Sequence, residues 1–464
     1  MHATKLLALA ALLLAGCPDR TISAVPIDQG TVETKDIPAV PRRGLDILFV
    51  IDDSGSMVDE QASLRANFSR LIGVLESIDG GLPDIHIGVV TPNLGTSATD
   101  GSQATALTGC SGTGENGTLR ALATGGPRFL ESFDDGAGGR TTNFPGMTLT
   151  DAFAQIANVG TAGCGIEQHL EAMKRATDNS NPLNAGFLRT DAYLAVIVIA
   201  DEDDCSLAKS TLFDDISRSD PNYGPKTNFR CTSQGVACDT PGTDFESANG
   251  VRQDCHPKFD STELTQIDRY VTHLKSLKPD PRDVMVAGIV GNPEPFEITK
   301  PAGITIIKDN CPPGSGPGGS TGVAFPSVRT SDFLDQFLDR NTRSTICDGD
   351  LSDGLEKIGE LLIQSFDDPC FDRDLLDVDP VTPGPQYECT VTEVRHRAGE
   401  ADVELRTYPA CAAGNANTPC WHVEEDAVKC SFTEANPHLK IVIERGDDPT
   451  ATATDIHSKV QCVT

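Results

Sequence analysis

Apolar segments alternate with amphipathic ones over most of the chain. Residues 45–51 (LDILFVI) and 193–200 (YLAVIVIA) are nearly continuous apolar runs, which are typical of strands buried on both faces of a parallel sheet. From residue 57 to 78, apolar positions recur at helical spacing: Leu64, Phe68, Leu71, Ile72, Leu75 and Ile78. This alternation predicts an α/β domain at residues 45–366, built on a doubly wound, mostly parallel sheet.

The same periodicities place the remaining elements of this domain. Further strands are predicted at 85–90, 284–290 and 344–347, and helices around 170–176, at 267–277 and at 351–363. Long insertions interrupt the pattern at 91–150, 205–261 and 308–330, and each of them contains cysteine. Loops of this length usually carry function or are disordered.

The pattern changes after residue 366. Prolines cluster at positions 380, 383 and 385, and short alternating runs follow at 388–394, 401–407 and 438–444. Six of the cysteines lie in this last part of the chain. We therefore predict a small β-rich module at 367–464 held together by disulfides, because a unit of this size buries too little apolar surface to be stable without them.

Charge and cysteine content restrict the class of protein. The 464 residues include 37 Lys and Arg against 68 Asp and Glu, a formal net charge of −31. This balance disfavours nucleic acids and anionic lipid surfaces, which attract basic proteins, and favours hard cations that bind oxygen ligands. Fifteen cysteines are too many for a reducing cytosol, and the fourteen that follow Cys17 are enough for seven disulfides.

The N-terminal sequence predicts export from the cytosol, which would account for the high cysteine content. Residues 1–16 contain Lys5 and a short apolar run, as a signal peptide does. Residues 14–17 (LAGC) resemble the bacterial lipobox, which implies that Cys17 is acylated and becomes the mature N-terminus. Pro18 rather than Asp follows it, which favours an outer-membrane anchor, facing the cell surface or the periplasm. An ordinary signal peptide that happens to end near a cysteine is the alternative. Residues 17–44, with four prolines, are predicted to form an extended tether, so the lipid is the only expected membrane contact.

Candidate metal ligands follow the predicted strands. Asp52, Ser54 and Ser56 come directly after the strand at 45–51, Thr161 lies on a later loop, and Asp201 follows the strand at 193–200. The carboxyl ends of parallel strands meet at one edge of a sheet, so these side chains are expected to converge. Hydroxyl and carboxylate oxygens suit a small divalent ion, which takes about six such ligands. Capping of the following helix by Asp52, Ser54 and Ser56 is the simpler alternative.

The order of these residues resembles the metal-ion-dependent adhesion site of von Willebrand factor A domains. That resemblance implies Mg²⁺, or Mn²⁺ or Ca²⁺, bound by Asp52, Ser54, Ser56, Thr161 and Asp201, with a coordination position left open for an acidic group of a protein partner. Ala200 departs from the Thr that is frequent before the last Asp. The segments GTAGCGIEQHLEAM, ADEDDCS and STICDGDLSDGLEKIGELL also resemble A-domain lipoproteins of the myxobacterial envelope.

Asp59 and Glu60 are candidates for a second cation site. They follow Ser56 as a pair of acids follows the same motif in integrin β-subunits, where the pair helps to bind an adjacent ion. Acidic residues in a first helical turn are also favoured simply because they interact with the helix dipole. Both interpretations remain open at this point.

The expected function is adhesion and not catalysis. The chain is predicted to be a cell-envelope lipoprotein that binds a protein or other acidic ligand through a divalent cation, with no catalytic residues. Two alternatives remain. Asp201 and Asp203 form the Asp-x-Asp pair of metal-dependent phosphohydrolases, and a metal that only stiffens the loops would indicate a structural envelope protein.

The cysteines divide at residue 368. Eight lie between Cys110 and Cys347 and six between Cys370 and Cys462, so we expect each group to pair within itself. Cys164 and Cys205 follow Thr161 and Asp201 closely, which suggests a disulfide that joins the two metal loops, although eight cysteines allow 105 pairings.

Cys17→Ser should abolish lipid attachment. Loss of the acylated thiol should leave unprocessed precursor or release soluble protein, because the lipid is the predicted anchor. Incorporation of a labelled fatty acid measures this directly. Equal labelling of the variant and the wild-type chain would show that Cys17 is not the lipid site.

Overall fold

The computed structural model describes residues 31–464, apart from 40–42, 79–80, 106–109, 111, 216–222, 225, 227, 240–248, 317–321, 366–368, 382, 398–400, 413–418, 428–429, 431–432, 434, 447–452 and 454. The predicted signal peptide at 1–16 and the lipid site Cys17 lie outside the described residues. Among those described, every helix is too short or too polar to cross a lipid bilayer.

The chain is a mixed α/β protein. Its helices are α1 Val58–Glu76, α2 Leu149–Ile156, α3 His169–Thr177, α4 Asn228–Gly235, α5 Asp268–Lys275, α6 Val328–Asp335 and α7 Ser352–Ser365. Its first strands are β1 Val32–Pro38, β2 Gly44–Ile51, β3 Asp84–Val90, β4 Phe129–Asp134, β5 Arg140–Thr142 and β6 Tyr193–Ala200. The next are β7 Val236–Cys238, β8 Gly250–Arg252, β9 Cys255–Pro257, β10 Val284–Val290, β11 Phe296–Thr299, β12 Ile306–Ile307 and β13 Asn341–Thr345. The last are β14 Cys389–Arg395, β15 Val403–Tyr408, β16 Cys420–Glu425, β17 Leu439–Glu444 and β18 Ile456–Val463.

A mainly parallel sheet of seven strands forms the centre. Its order is β13-β10-β6-β2-β3-β4-β5, and the first five of these strands are parallel. The strands predicted from apolar runs are all present. The structure differs in the insertion at 91–150, whose second half adds β4 and β5 as antiparallel strands at one edge. Their short, mixed sequences carry no periodicity that would have marked them.

Apolar side chains pack on both faces of this sheet. Leu45, Ile47, Phe49 and Ile51 belong to a core that also contains apolar residues of α1, α2 and α7. Leu48 and Val50 belong to a second core with residues of α3, α5 and α6. Successive side chains of a strand point to opposite faces, which is why one strand supplies both cores.

Residues 32–38, predicted to be part of an extended tether, instead form an edge strand. β1 pairs antiparallel with β18, so that Val32 lies opposite Val463 and Pro38 opposite His457. Asp36 contacts His457 at 2.9 Å and Arg282, which precedes β10, at 2.9 Å. The segment VETKDIP has almost no apolar pattern because backbone hydrogen bonds, which any sequence except proline can make, provide most of its pairing.

The C-terminal strands form an antiparallel sheet of order β1-β18-β14-β15 and the separate pair β16-β17. Their shared core includes Phe371, Val391, Tyr408, Trp421 and Ile441.

The described part of the chain contains seven disulfides, and they pair within the two predicted groups. They are Cys110–Cys164, Cys205–Cys231, Cys238–Cys255, Cys311–Cys347, Cys370–Cys430, Cys389–Cys462 and Cys411–Cys420. The suggested Cys164–Cys205 disulfide is wrong. The two loops do lie side by side, since Cys205 N–H donates to the Glu167 carbonyl at 2.7 Å, but each cysteine pairs with one from a long insertion. The spacing of cysteines along the chain could not reveal which of them the folded insertions bring close to Cys164 and Cys205.

A buried arginine fixes the loop that follows β6. The Arg329 guanidinium, in α6, binds the Asp204 carboxylate at 3.0 Å and the Thr265 carbonyl at 2.8 Å, and both charged side chains are almost wholly buried. Asp204 in turn accepts the N–H of Leu170 at 3.0 Å, near the start of α3. This network holds the ends of β6, α3 and α6 in one arrangement.

Arg329→Met should destabilise the protein by about 3–5 kcal/mol, because it leaves the buried Asp204 carboxylate without its cationic partner. The matched control is Arg343→Met, whose ion pair with Asp335 at 3.5 Å is largely exposed and should contribute less than about 1 kcal/mol. Denaturant unfolding of the disulfide-bonded chain gives both values. Equal, small losses in the two variants would contradict a structural role for Arg329.

Candidate metal centre

The register of β2 and β6 brings two aspartates together. The strands are parallel neighbours with Ile51 opposite Ile199, and Asp52 N–H continues the ladder by donating to the Ile199 carbonyl at 3.0 Å. Asp52 and Asp201 are the first residues after these strands, and the side chains of both are 0% exposed. Two carboxylates therefore lie at one edge of the sheet without contact with water.

The predicted serine ligands lie beside Asp52. The Asp52 Oδ1 atom accepts the Ser54 N–H at 2.7 Å, and the Ser54 and Ser56 hydroxyls are 3.1 Å apart. Neither serine hydroxyl caps the helix that follows, either at the short turn Gly55–Met57 or at the start of α1. The capping alternative is therefore wrong for the serines, whose hydroxyls remain available to a ligand.

The loop that contains Thr161 packs against the same segment. Gln61 of α1 donates its side-chain amide to the Asp52 carbonyl at 2.9 Å and to the Gly160 carbonyl at 2.8 Å. Gly163 N–H donates to the Asp53 carbonyl at 2.8 Å, and a Cβ on Gly163 would come within 2.5 Å of the Asp53 carboxylate. Thr161 itself is exposed. The five predicted ligands thus lie on adjoining loops.

Asp201 is enclosed but has no hydrogen bond to either carboxylate oxygen among the described residues. Burial, and next the charge of Asp52, hold the pKa of Asp201 well above its usual range. The nearby Ser56 hydroxyl lowers the pKa in part, although it forms no hydrogen bond of good geometry with the carboxylate. A carboxylate in this environment is stable as an anion only if a cation accompanies it.

Two further ligand-type side chains, not foreseen in the sequence, complete the cluster. Glu167 and His169 lie close to Asp52, with one ligand atom from each of the three residues within 4.8 Å of the others. The His169 Nε2 atom is 3.9 Å from Asp52 Oδ2. Glu167 follows Thr161 on the same loop and His169 is the first residue of α3, and no recognised metal-ligand spacing in the sequence marks the pair.

Asp59 and Glu60, the predicted pair for a second cation, differ in their exposure to solvent. Asp59 is exposed on α1, whereas Glu60 is buried, and burial followed by the charges of Asp59 and Asp52 raises the pKa of Glu60. Asp53 is also buried, and burial together with the charges of Asp52 and Glu115 raises its pKa to about 7. Glu60 and Asp53 extend the acidic cluster, and Asp59 does not.

The unpaired atoms of this cluster are numerous. Eight buried polar atoms have no hydrogen-bond partner in the described part of the chain: Asp52 Oδ2, Asp53 Oδ1, Glu60 Oε2, Glu167 Oε1, both ring nitrogens of His169 and both carboxylate oxygens of Asp201. No described lysine or arginine forms an ion pair with any of these five carboxylates. Buried polar groups are normally hydrogen-bonded and buried charges are normally paired or bound to metal, so this cluster is suited to hold cations.

Asp203 has a different role from Asp201. Its Oδ2 atom accepts Arg329 N–H at 2.9 Å, and its Oδ1 atom accepts Thr330 N–H at 3.0 Å, both at the start of α6. Its carboxylate therefore caps a helix.

A second group of ligand-type residues, Cys411, His422 and Glu444, lies in the C-terminal strands. Cys411 is bonded to Cys420, so its sulfur cannot act as a thiolate ligand.

Comparisons with known proteins give only remote similarities. No protein-family model and no curated protein matches the chain. Among solved structures, proximal thread matrix protein 1 from the mussel byssus is 11% identical, with a TM-score of 0.26 over 72% of this chain and 50% of that one. The pilus adhesin of Streptococcus pneumoniae is 13% identical, with a TM-score of 0.27 over 93% and 57%. A human COPII-coat protein is 8% identical, with a TM-score of 0.28 over 93% and 46%. The chain spans about half the length of these structures, and at such TM-scores they assign it neither a family nor a function.

Proposed function

We propose that this chain is a lipid-anchored protein of the bacterial cell envelope that binds a partner through a divalent cation. Its central sheet, with helices on both faces, is taken as a doubly wound domain similar to von Willebrand factor A domains. The cation is held by Asp52, Ser54, Ser56, Thr161 and Asp201. The observation that carries this proposal is the convergence of unpaired buried carboxylate oxygens with two uncapped serine hydroxyls where neighbouring parallel strands end.

The donor set fits a hard ion such as Mg²⁺. Mg²⁺ prefers oxygen ligands in octahedral geometry and usually keeps some positions for water or substrate. Asp52 and Asp201 balance its two charges, and the neutral hydroxyls of Ser54, Ser56 and Thr161 leave it electrophilic. Ser56 and Thr161 are exposed, which supports a site that is open to a partner at the protein surface.

The proposed partner presents an acidic group. The chain has a formal net charge of −31, so an acidic surface would be repelled in the absence of the ion. A bound cation with an open coordination position would convert this local repulsion into attraction. The site would then act as a metal-dependent switch for adhesion.

The phosphohydrolase alternative is disfavoured by the environment of Asp203. Both of its carboxylate oxygens accept backbone N–H groups of α6, which leaves Asp203 poorly placed to act as the second acid of an Asp-x-Asp pair.

The rest of the proposed architecture is a lipid on Cys17 and a disulfide-stapled β module at 367–464, to which β1 contributes an edge strand.

Ser54→Ala and Thr161→Ala should each weaken Mg²⁺ binding at least about tenfold, because loss of even an outer partner of a metal site typically costs that much affinity. Asp52→Ala should weaken it further, since a charged ligand is lost. Titration calorimetry of the full chain with Mg²⁺, Mn²⁺ and Ca²⁺ measures the effect. The matched control is Ser180→Ala, an exposed serine beyond the other end of α3, whose side chain interacts with Asp178 and not with the proposed site.

Capture of an envelope partner should require the same ion. Pull-down from envelope extracts should succeed with Mg²⁺ and fail after addition of chelator, and the Ser54→Ala chain should retain less than the wild-type chain at the same Mg²⁺ concentration. Binding that persists in chelator but disappears at high salt would point to ordinary surface electrostatics and would contradict the proposal.

A further inference from the structure

The proposed adhesion ion leaves most of the acidic cluster unexplained. An octahedral ion offers about six positions. With Ser54, Ser56 and Thr161 in three of them and a partner in a fourth, two remain for carboxylate oxygens. Eight buried atoms in this cluster have no hydrogen-bond partner among the described residues, so six would still be unsatisfied. A single divalent ion would likewise neutralise only two of the five carboxylates.

Asp52, Glu167 and His169 bring one ligand atom each into a single group within this cluster. Oδ1 of Asp52 is held by Ser54 N–H at 2.7 Å, while Oδ2 faces the His169 ring, 3.9 Å from Nε2. That separation is too long for a hydrogen bond. Two donors that bind one ion at about 2.0–2.2 Å stand at most about 4.4 Å apart, so the pair is spaced to share an ion.

Glu167 completes this arrangement. Its carboxylate offers an oxygen within 4.8 Å of the other two ligand atoms, so a small side-chain movement would bring all three within the span that one ion allows, and its Oε1 atom has no partner in the described part of the chain. Glu167 also lines a cavity of about 150 Å³, whose wall includes Glu202, Asn228 and Thr232. The cavity is lined by Glu167 and not by Asp52 or His169, and it has room for water beside the Glu167 carboxylate.

We propose that Asp52, Glu167 and His169 form a second cation site, specific for a first-row transition ion such as Zn²⁺. The imidazole nitrogen determines the class of ion, because Mg²⁺ and Ca²⁺ bind oxygen whereas imidazole suits Zn²⁺, Cu²⁺ and Ni²⁺. The site shares Asp52 with the proposed adhesion site but does not depend on partner binding. It would fasten α3 and the Thr161 loop to the end of β2.

Calorimetry with Zn²⁺ tests the site directly. The full chain is stripped with chelator and titrated with Zn²⁺ in excess Mg²⁺, which occupies the oxygen-lined site. We expect one tight Zn²⁺ per wild-type chain, and a loss of affinity of at least about tenfold in His169→Gln and in Glu167→Gln. The matched control is His422→Gln, which alters the other cluster of histidine and glutamate and should bind Zn²⁺ as the wild type does.

A spectroscopic measurement keeps the test independent of how the variants fold. One equivalent of Cu²⁺ added to the stripped wild-type chain in excess Mg²⁺ should show ¹⁴N coupling from an imidazole in pulsed electron paramagnetic resonance. The coupling should persist in His422→Gln and vanish in a folded His169→Gln chain. Its absence from the wild type, its persistence in His169→Gln, or the absence of tight Zn²⁺ binding would overturn the proposal.

Ser56→Ala separates this site from the proposed function. The variant should lose Mg²⁺ affinity and keep Zn²⁺ affinity, because Ser56 belongs only to the oxygen-lined site. Loss of both would mean that one ion uses all of these residues, which would overturn the second site and leave the adhesion proposal standing. Normal Zn²⁺ binding together with Mg²⁺-independent capture of partners would overturn the adhesion proposal and leave the second site standing.

Discussion

Two neighbouring parallel strands, each followed at once by an aspartate, impose the constraint on which the rest of this structure depends. Strand register places Asp52 and Asp201 at one edge of the sheet, and packing of α1, α3 and the loops over that edge removes both from water. An isolated buried carboxylate is costly, so such an arrangement persists only if hydrogen bonds or cations compensate it. For the carboxylate of Asp201 the described residues supply no hydrogen bond of good geometry.

The loop after β6 divides its acidic residues between two tasks. The carboxylates of Asp203 and Asp204 form structural contacts. Asp203 caps α6, and Asp204 binds Arg329 and the N-terminal end of α3. Asp201 remains unpaired. Strand β6 before Asp201 and the contacts of Asp203 after it fix the backbone on both sides of Asp201.

The rim of the cluster is held by covalent and close steric contacts. Cys110–Cys164 joins the first insertion to the Thr161 loop, and Cys205–Cys231 joins the loop after β6 to α4. Gln61 links the end of β2 to Gly160, and at Gly163 any larger residue would collide with Asp53. The surface loops that carry the exposed Thr161 are therefore anchored on the same few residues that surround Asp52.

The sequence by itself determined the central elements and the place where chemistry gathers. Apolar runs such as 45–51 and 193–200 identify buried strands because both of their faces must be apolar, and polar residues directly after such strands must meet at one edge. It also determined the division of the cysteines into two groups. Only the tertiary structure decided which acids are buried, since Asp59 and Glu60 are adjacent in sequence and differ in exposure because they lie on different faces of α1. The edge strand β1, the disulfide partners of Cys164 and Cys205, and the approach of Glu167 and His169 to Asp52 likewise depend on contacts between distant segments, and no local pattern of residues encodes such contacts.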